Sequence, residues 1–347
     1  MGSRNDVGLI LRHNRPGGND RDRAAAARWI SRRLGSTPET DRILVTNGTQ
    51  SAIALLLPML VRDGTTLGVE ALTYPVLRNL ADRARVRVVP IEIDDEGLQP
   101  DVLANLAVKN RISAIFVNPT VHNPTTAVMS EKRRRDIVDI ARRHGIAIIE
   151  DDVLGRMHGL SPRPFAAIAP ESTWYLAATA KSLALGLRIT LLLCPTDEAA
   201  NQLYRPVASM SSWFPSALSA ELLTKWISDG SGAEIEEAII DEANIRSEIV
   251  AQALNDAPYR YQHGGLHLWI PFPSGESAMT FQARALERNV LIRNFGMFLA
   301  APEEPHVGPW GVRVAITAPL ARSDLADALT ILRQLFINQS SHAIAQW

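Results

Sequence analysis

The sequence predicts an α/β fold: a large domain with a mostly parallel sheet sandwiched by helices, plus a smaller C-terminal α+β domain. Three observations predict it. Short apolar runs of strand length alternate with helical segments between residues 43 and 193, a pattern that puts a parallel sheet between two helical layers. Those runs break into polar or small residues at their carboxyl ends, where open α/β sheets bind their ligands. Beyond residue 259 the pattern changes to period-two alternation, so residues 259–271 read as an antiparallel strand. The expected division is an N-terminal arm and helix over 1–40, a large domain over 41–230 and a small domain over 231–347.

In chain order, Asn19 is a helix cap, Asp20 and Asp22 favour the first turn, and Arg32, Arg33 and Gly35 close the helix. The arginines of this segment read as capping and a solvated face. A nucleic-acid arm is the weaker alternative, because no helix-turn-helix or zinc pattern accompanies them. Residues 43–46 form a strand, and the small-residue turn Asn47-Gly48-Thr49-Gln50 opens an apolar helix over 51–60. Free backbone N–H groups and the helix dipole make such a turn an anion site. A strand over 67–70 precedes Tyr74 and Pro75, with a helix to residue 83; Tyr74 reads either as a packed loop aromatic or as a flat platform for a ring. A strand over 87–93, a polar turn over 94–97 and a helix over 101–108 follow.

The strand over 112–117 ends in Asn118-Pro-Thr-Val-His-Asn123-Pro124-Thr125. Residues before proline are pushed to extended backbone, which fixes the direction of Asn123. A basic amphipathic helix over 131–143 leads to the strand from residue 146, which breaks into Glu150, Asp151 and Asp152. The apolar run from Tyr175 to Ala180 delivers a lone lysine, Lys181, followed seven residues later by Arg188 across a glycine turn. A desolvated lysine is a good amine for carbonyl chemistry, although this window alone also fits a surface lysine in a turn. A strand over 189–193, helices to about residue 229 and a long helix over 233–254 come next. The chain closes with a helix over 281–288, an extended stretch over 290–293, a strand over 311–316 carrying Arg313, and a helix over 323–336. His263 and His267 read as strand residues and not as metal ligands, since no third ligand lies at a suitable spacing.

Composition narrows the classes. At 347 residues and 46% hydrophobic content the chain buries a large core, and a formal net charge of -1 gives no global attraction to nucleic acid or anionic membranes. A lone cysteine, Cys194, excludes an internal disulfide and fits a reducing compartment. No apolar run reaches the roughly 18 residues of a membrane span and no signal peptide is read. The expectation is a cytoplasmic protein without a membrane partner.

Thr49, Tyr74, Asn123, Asp151 and Lys181 all fall at or just beyond predicted strand ends, and together they mark one site. In order and spacing, Thr46-Asn-Gly-Thr-Gln50, Leu72-Thr-Tyr-Pro75, Asn118-Pro-Thr-Val-His-Asn-Pro-Thr-Thr126, Glu150-Asp-Asp152, Lys181 with Gly186-Leu-Arg188, and Val312-Arg313 carry a family resemblance over about residues 8–336. The sequence resembles the fold-type I aminotransferases that use pyridoxal 5′-phosphate (PLP), and in particular the aminotransferase-like domain of the MocR branch of GntR-type transcription regulators. The resemblance implies that Lys181 carries PLP as a Schiff base and later moves the substrate's proton. It places Asp151 at the pyridine nitrogen, Asn123 at the phenolic oxygen and Tyr74 on the ring face. Gly48, Thr49 and Gln50 join Arg188 around the phosphate, and Arg313 takes a substrate carboxylate. It further implies a homodimer and an amino acid or amine as small-molecule ligand. The two functions implied are a sensing domain of a regulator and a working aminotransferase.

This chain departs from the family pattern. Val153 and Leu154 stand where a tyrosine usually donates to the phenolic oxygen, and Ala178 stands where a serine or threonine usually contacts the phosphate. Thr179 replaces that hydroxyl only if the backbone is shifted. His13 aligns with an aromatic residue that reaches the partner subunit. Transamination is therefore expected to be slow or absent. No winged helix-turn-helix is read ahead of the Asn-Gly-Thr-Gln motif, so DNA contact is expected only through a domain outside this chain.

Overall fold

The computed structural model describes residues 14–160, 162–304 and 306–344, together with Gly8, Ile10 and Arg12; His13 lies outside the described residues. Its main sheet uses β1 (Ile43–Thr46), β2 (Thr66–Glu70), β3 (Val88–Ile91), β6 (Ile112–Val117), β7 (Ala147–Asp151), β8 (Thr173–Ala178) and β9 (Thr190–Leu193). Their order across the sheet is β1-β9-β8-β7-β6-β2-β3. The pairs from β8 to β3 are parallel and β9 is antiparallel to both neighbours, so the sheet is mostly parallel as expected. Both faces are buried. Along β6, Ala114 and Phe116 enter one apolar cluster while Ile115 and Val117 enter another, the period-two alternation of a strand covered on each side.

Between β3 and β6 the chain makes a small hairpin of β4 (Ile93–Asp94) and β5 (Gly97–Leu98), with Glu96 N–H donating to Asp94 Oδ1 at its tip. The expected strand over 87–93 is thus two strands broken at Glu92, whose carbonyl accepts from Gln99 N–H. A second sheet, ordered β10 (His267–Phe272), β12 (Trp310–Ala315), β11 (Arg293–Asn294), is antiparallel. Leu268, Ile270, Val312 and Val314 pack with residues of the Gly275–Glu287 and Arg322–Ile344 helices in one apolar cluster.

Two further expectations fail. The alternating stretch 259–271 is not one strand: Arg260 and Trp269 exchange backbone hydrogen bonds of 2.7 and 3.0 Å, so the segment folds back on itself. His263 sits in the turn and only His267 lies on a strand. The turn depends on Gly264, whose φ is +70°, and a Cβ there would lie 2.2 Å from the carbonyl oxygen of Met157. The helix Asp20–Leu34 has the expected Asn19 capping box and Gly35 terminus, but its basic residues are not simply solvated. Arg33 is 4% exposed, and Arg32 pairs with Glu236 at 2.6 Å. The helix packs on the Ala217–Asp229 helix and on β1, which turns these arginines inward. Among the described residues, no helix is long and apolar enough to cross a membrane.

Candidate functional site

The site is built around the end of β7. Strand alternation sends Glu150 and Asp152 to one side and Asp151 to the other. Glu150 accepts from Phe165 N–H and Ala166 N–H, each at 2.9 Å, and lies 3.7 Å from Arg134. Asp152 Oδ2 accepts from Arg33 Nε and from the Tyr175 hydroxyl, both at 3.0 Å. Asp151 has neither kind of support. Its Oδ1 is buried without a partner, and burial, reinforced by the charges of Asp152 and Glu70, pushes its carboxyl up to about 7.

Beside it runs the loop that leaves β6. Asn118 Nδ2 donates to the Asp151 carbonyl at 2.6 Å, and Asn118 Oδ1 accepts from Asn123 N–H at 2.8 Å. One carboxamide therefore ties the two elements together and sets the direction of Asn123. The Asn123 side chain also presents a buried Oδ1 with no partner. Oxygen and nitrogen of a carboxamide exchange places by a flip, so this atom marks a position for a donor or an acceptor.

Lys181 lies in the turn just past β8. Solvent reaches it, yet enough protein surrounds the amine that desolvation, with the nearby Arg313 charge, lowers its pKa. Tyr74 is half-buried and its hydroxyl accepts from Gln50 Nε2 at 3.1 Å. Burial raises its pKa, Gln50 lowers it, and the charges of Asp151 and Arg188 act on it in opposite senses. The phenol thus stands within electrostatic reach of both. Gly48 opens the Gly48–Leu60 helix with φ +78°, and Asn47 gives that helix no side-chain cap, leaving its first-turn N–H groups to another acceptor. Arg188 adjoins this terminus: its carbonyl oxygen is 3.7 Å from where a Gly48 Cβ would be. Thr49 Oγ1 meets Thr190 Oγ1 at 3.1 Å. Arg313, on β12, has a buried Nε without a partner, and desolvation lowers its pKa to about 10.

The positions of departure are filled differently. Leu154 is buried and Val153 partly buried in an apolar cluster with Val121, Met157, Ala243 and Leu266. Thr179 Oγ1 donates to the Ile189 carbonyl at 2.9 Å, so its hydroxyl is committed to the backbone and does not replace the one missing at Ala178. Sequence reasoning did not assign Asn118, although it opens the loop motif, nor the buried set Arg33, Arg134, Asp152 and Tyr175.

An unpartnered carboxylate and an unpartnered carboxamide, a phenol, an accessible amine, and a helix terminus adjoined by the backbone of Arg188 make up one set of candidate groups. It fits PLP, which presents a ring nitrogen, a phenolic oxygen, an aldehyde and a phosphate dianion. The comparisons with known proteins point the same way. The family model described as aminotransferase class I and II matches residues 11–332. The chain is 29% identical over 316 residues to the uncharacterized HTH-type transcriptional regulator YdeF of Bacillus subtilis, covering 89% of this chain and 66% of that protein. It is 28% identical over 219 residues to the probable rhizopine catabolism regulatory protein MocR of Rhizobium meliloti, covering 61% and 43%. The chain thus spans less than two thirds of these regulators. Among solved structures, the α-aminoadipate aminotransferase LysN of Thermus thermophilus, complexed with N-(5′-phosphopyridoxyl)-L-leucine, superposes with a TM-score of 0.84 at 22% identity, over 97% of this chain and 86% of that one. Because the family match takes in nearly the whole chain, this protein belongs to the class I and II aminotransferases, whose cofactor is PLP.

Proposed function

We propose that this chain is the amino-acid- or amine-sensing domain of a MocR-type transcription regulator, working through bound PLP. The observation that carries this reading is a cofactor floor kept intact while its outer contacts are thinned. Asp151, Asn123 and Lys181 keep unpartnered functional groups, whereas Val153, Leu154 and Ala178 remove two donors from the cofactor's edge. Each lost charged hydrogen bond costs on the order of 1.5–3 kcal/mol, roughly ten- to a hundredfold in affinity where nothing replaces it. The similarity to HTH-type regulators, which are longer than this chain, supports the same reading.

When bound, PLP supplies an aldehyde for an amine and a cationic ring that accepts electron density from the bonds at Cα. The protein's own residues do the rest. The lowered pKa of Lys181 keeps its amine ready for the aldehyde and, once displaced, able to hold the proton of Cα. Asp151, whose buried Oδ1 has no partner, would bind the ring nitrogen of PLP and hold a proton there. Asn123 would donate to the phenolic oxygen and Tyr74 would pack on the ring face. Gly48, Thr49 and Gln50 would hold the phosphate together with Arg188. Arg313, whose pKa burial lowers, would receive the ligand's carboxylate in a bidentate pair. We further propose a cytoplasmic homodimer, with a large domain over 41–230 and a small one over 231–347 after an arm and helix. DNA would be contacted only through a domain outside this chain.

The second reading, a working aminotransferase, is favoured by the family match itself. One titration separates the two. Adding PLP should produce a visible absorbance band that Lys181→Ala abolishes. A panel of amino acids and amines should then shift that band without releasing a 2-oxo acid. Steady release of 2-oxo acid would establish the enzyme instead, and the absence of any Lys181-dependent band would defeat both readings.

A further inference from the structure

We infer that Arg33 is a positioning residue for the cofactor floor: with Asp152 and Tyr175, and through Thr120 with Arg134, it holds Asp151 and Asn123 in fixed relation. The inference rests on the PLP-binding reading of the same site. Asp151 and Asn123 come from different elements, the end of β7 and the loop after β6, and neither has a side-chain partner of its own to orient it. Their placement must come from the backbone beneath them. On one side Asn118 provides it, binding the Asp151 carbonyl and the Asn123 N–H.

On the other side stands the Arg33 guanidinium. Its Nε donates to Asp152 Oδ2 at 3.0 Å, which fixes the residue directly after Asp151. Tyr175, from the adjacent strand β8, donates to the same oxygen at 3.0 Å. The Asp152 carboxylate is seated so closely against Gly155 that a Cβ there would fall 2.1 Å from it, so this group has no room to move toward that side. Arg33 Nη1 donates to the Leu160 carbonyl at 2.7 Å, and Nη2 makes a longer contact of 3.4 Å with Thr120 Oγ1. Thr120 belongs to the loop that carries Asn123. The same Oγ1 receives Arg134 Nη2 at 3.0 Å, and that nitrogen also donates to the Pro119 carbonyl at 3.0 Å. A planar guanidinium with five donors can join three backbone segments at once, which a lysine in the same place cannot reproduce in full.

Removing Arg33 leaves the Asp152 carboxylate buried with one donor instead of two, one residue from Asp151. A generic buried ion pair would only destabilise the fold. A positioning residue would also alter what the folded protein does to PLP. The test therefore compares Arg33→Gln, Arg33→Lys and Tyr175→Phe with Arg246→Gln. Arg246 is a buried arginine bonded to Glu242 and to the Ile316, Pro319 and Leu320 carbonyls, and it shares no hydrogen-bond partner with Arg33. PLP dissociation constants and the pH midpoint of the Lys181-dependent band are measured well below each variant's melting temperature.

Arg33→Gln should weaken PLP roughly tenfold and displace the pH midpoint. Arg33→Lys should recover part of both, and Tyr175→Phe should move both less, in the same sense. Arg246→Gln should lower the melting temperature and leave both readings at the wild-type value. Wild-type affinity and midpoint in folded Arg33→Gln would overturn the inference while leaving the PLP reading standing. If Arg33→Gln does not fold, unchanged values in Arg33→Lys and Tyr175→Phe overturn it equally. A wild-type protein with no Lys181-dependent band would overturn the functional reading first and this inference with it.

Discussion

Two layers at the carboxyl end of β7 differ in how far their buried polar groups are partnered. In the layer beneath the cleft, Glu150 accepts two backbone N–H groups, Asp152 accepts from Arg33 and Tyr175, and Arg134 donates to the Met129, Pro119 and Arg163 carbonyls and to Thr120. In the layer that lines the cleft, Asp151 Oδ1, Asn123 Oδ1 and Arg313 Nε have nothing. Buried polar groups normally find partners, and an unsatisfied one needs a reason. Asp152 leaves one oxygen, Oδ1, without a partner but binds two donors through the other, whereas neither oxygen of Asp151 is bound, and we read the three open atoms as positions that a ligand would complete. On this reading the better-partnered layer is scaffold and the open one is site.

The largest effect expected from this contrast is on the scaffold side. Arg134 is fully buried, and Arg134→Met would strip the 3.7 Å countercharge from Glu150 and four acceptors of their donor. Breaking a buried ionic cluster in this way costs about 3–5 kcal/mol. Urea denaturation should record a loss of that size, and a change below about 1 kcal/mol would erase the distinction between the layers.

Asp151→Asn should behave in the opposite way. It removes a buried, unpartnered carboxylate, so the PLP-free protein should be no less stable than wild type, while PLP affinity falls roughly ten- to a hundredfold with the loss of a charged hydrogen bond. The same residue predicts a pH dependence. Its folded pKa, about 7, lies above its ordinary value of 3.8. Between those values the folded chain holds a proton that the unfolded chain has released, so stability is highest below about pH 4 in this respect and is lost as pH rises through 7. Glu150, also raised to about 7 by burial, adds to the slope with the same sign. Thermal melts of PLP-free protein from pH 5 to pH 8 should show the decline, and Asp151→Asn should show a shallower one. Equal slopes would mean that Asp151 titrates normally and is not the desolvated group of the site.

The sheet and the cleft were legible for a local reason. Strand alternation and polar strand ends are read within a few residues, and Lys181, Asp151, Asn123 and Tyr74 each sit at such an end. The scaffold layer was not legible because its contacts are distant in the chain. Arg33 meets Asp152 across 119 residues, and an arginine in a helix's last turn already has a sufficient local explanation in the helix dipole. Nothing near Arg33 announces that its face is covered. The hairpin at 260–269 escaped for the converse reason. Its signal was local but faint: the apolar alternation slips by one residue across Gly264-Gly265, from Tyr259 and Tyr261 to Leu266, Leu268 and Ile270, where the chain folds back.

The smallest effect expected is a gain. Ala178 ends β8 directly opposite Thr190 of β9, and directly opposed residues on antiparallel strands share a face. Thr190 Oγ1 is the atom that meets Thr49 Oγ1 at the opening of the Gly48–Leu60 helix. A hydroxyl added at 178 would therefore face Thr190 and Thr49, the groups proposed to lie at the phosphate, which the Thr179 hydroxyl does not serve because it is bound to Ile189. Ala178→Ser should tighten PLP by up to about tenfold, the worth of one added hydrogen bond to a charged group, and should leave the Lys181-dependent band where it was. An unchanged dissociation constant would shift the cause of weak binding to the apolar pair Val153 and Leu154, where the phenolic oxygen and not the phosphate lacks a donor. The two outcomes assign the loosening of the site to opposite ends of the cofactor.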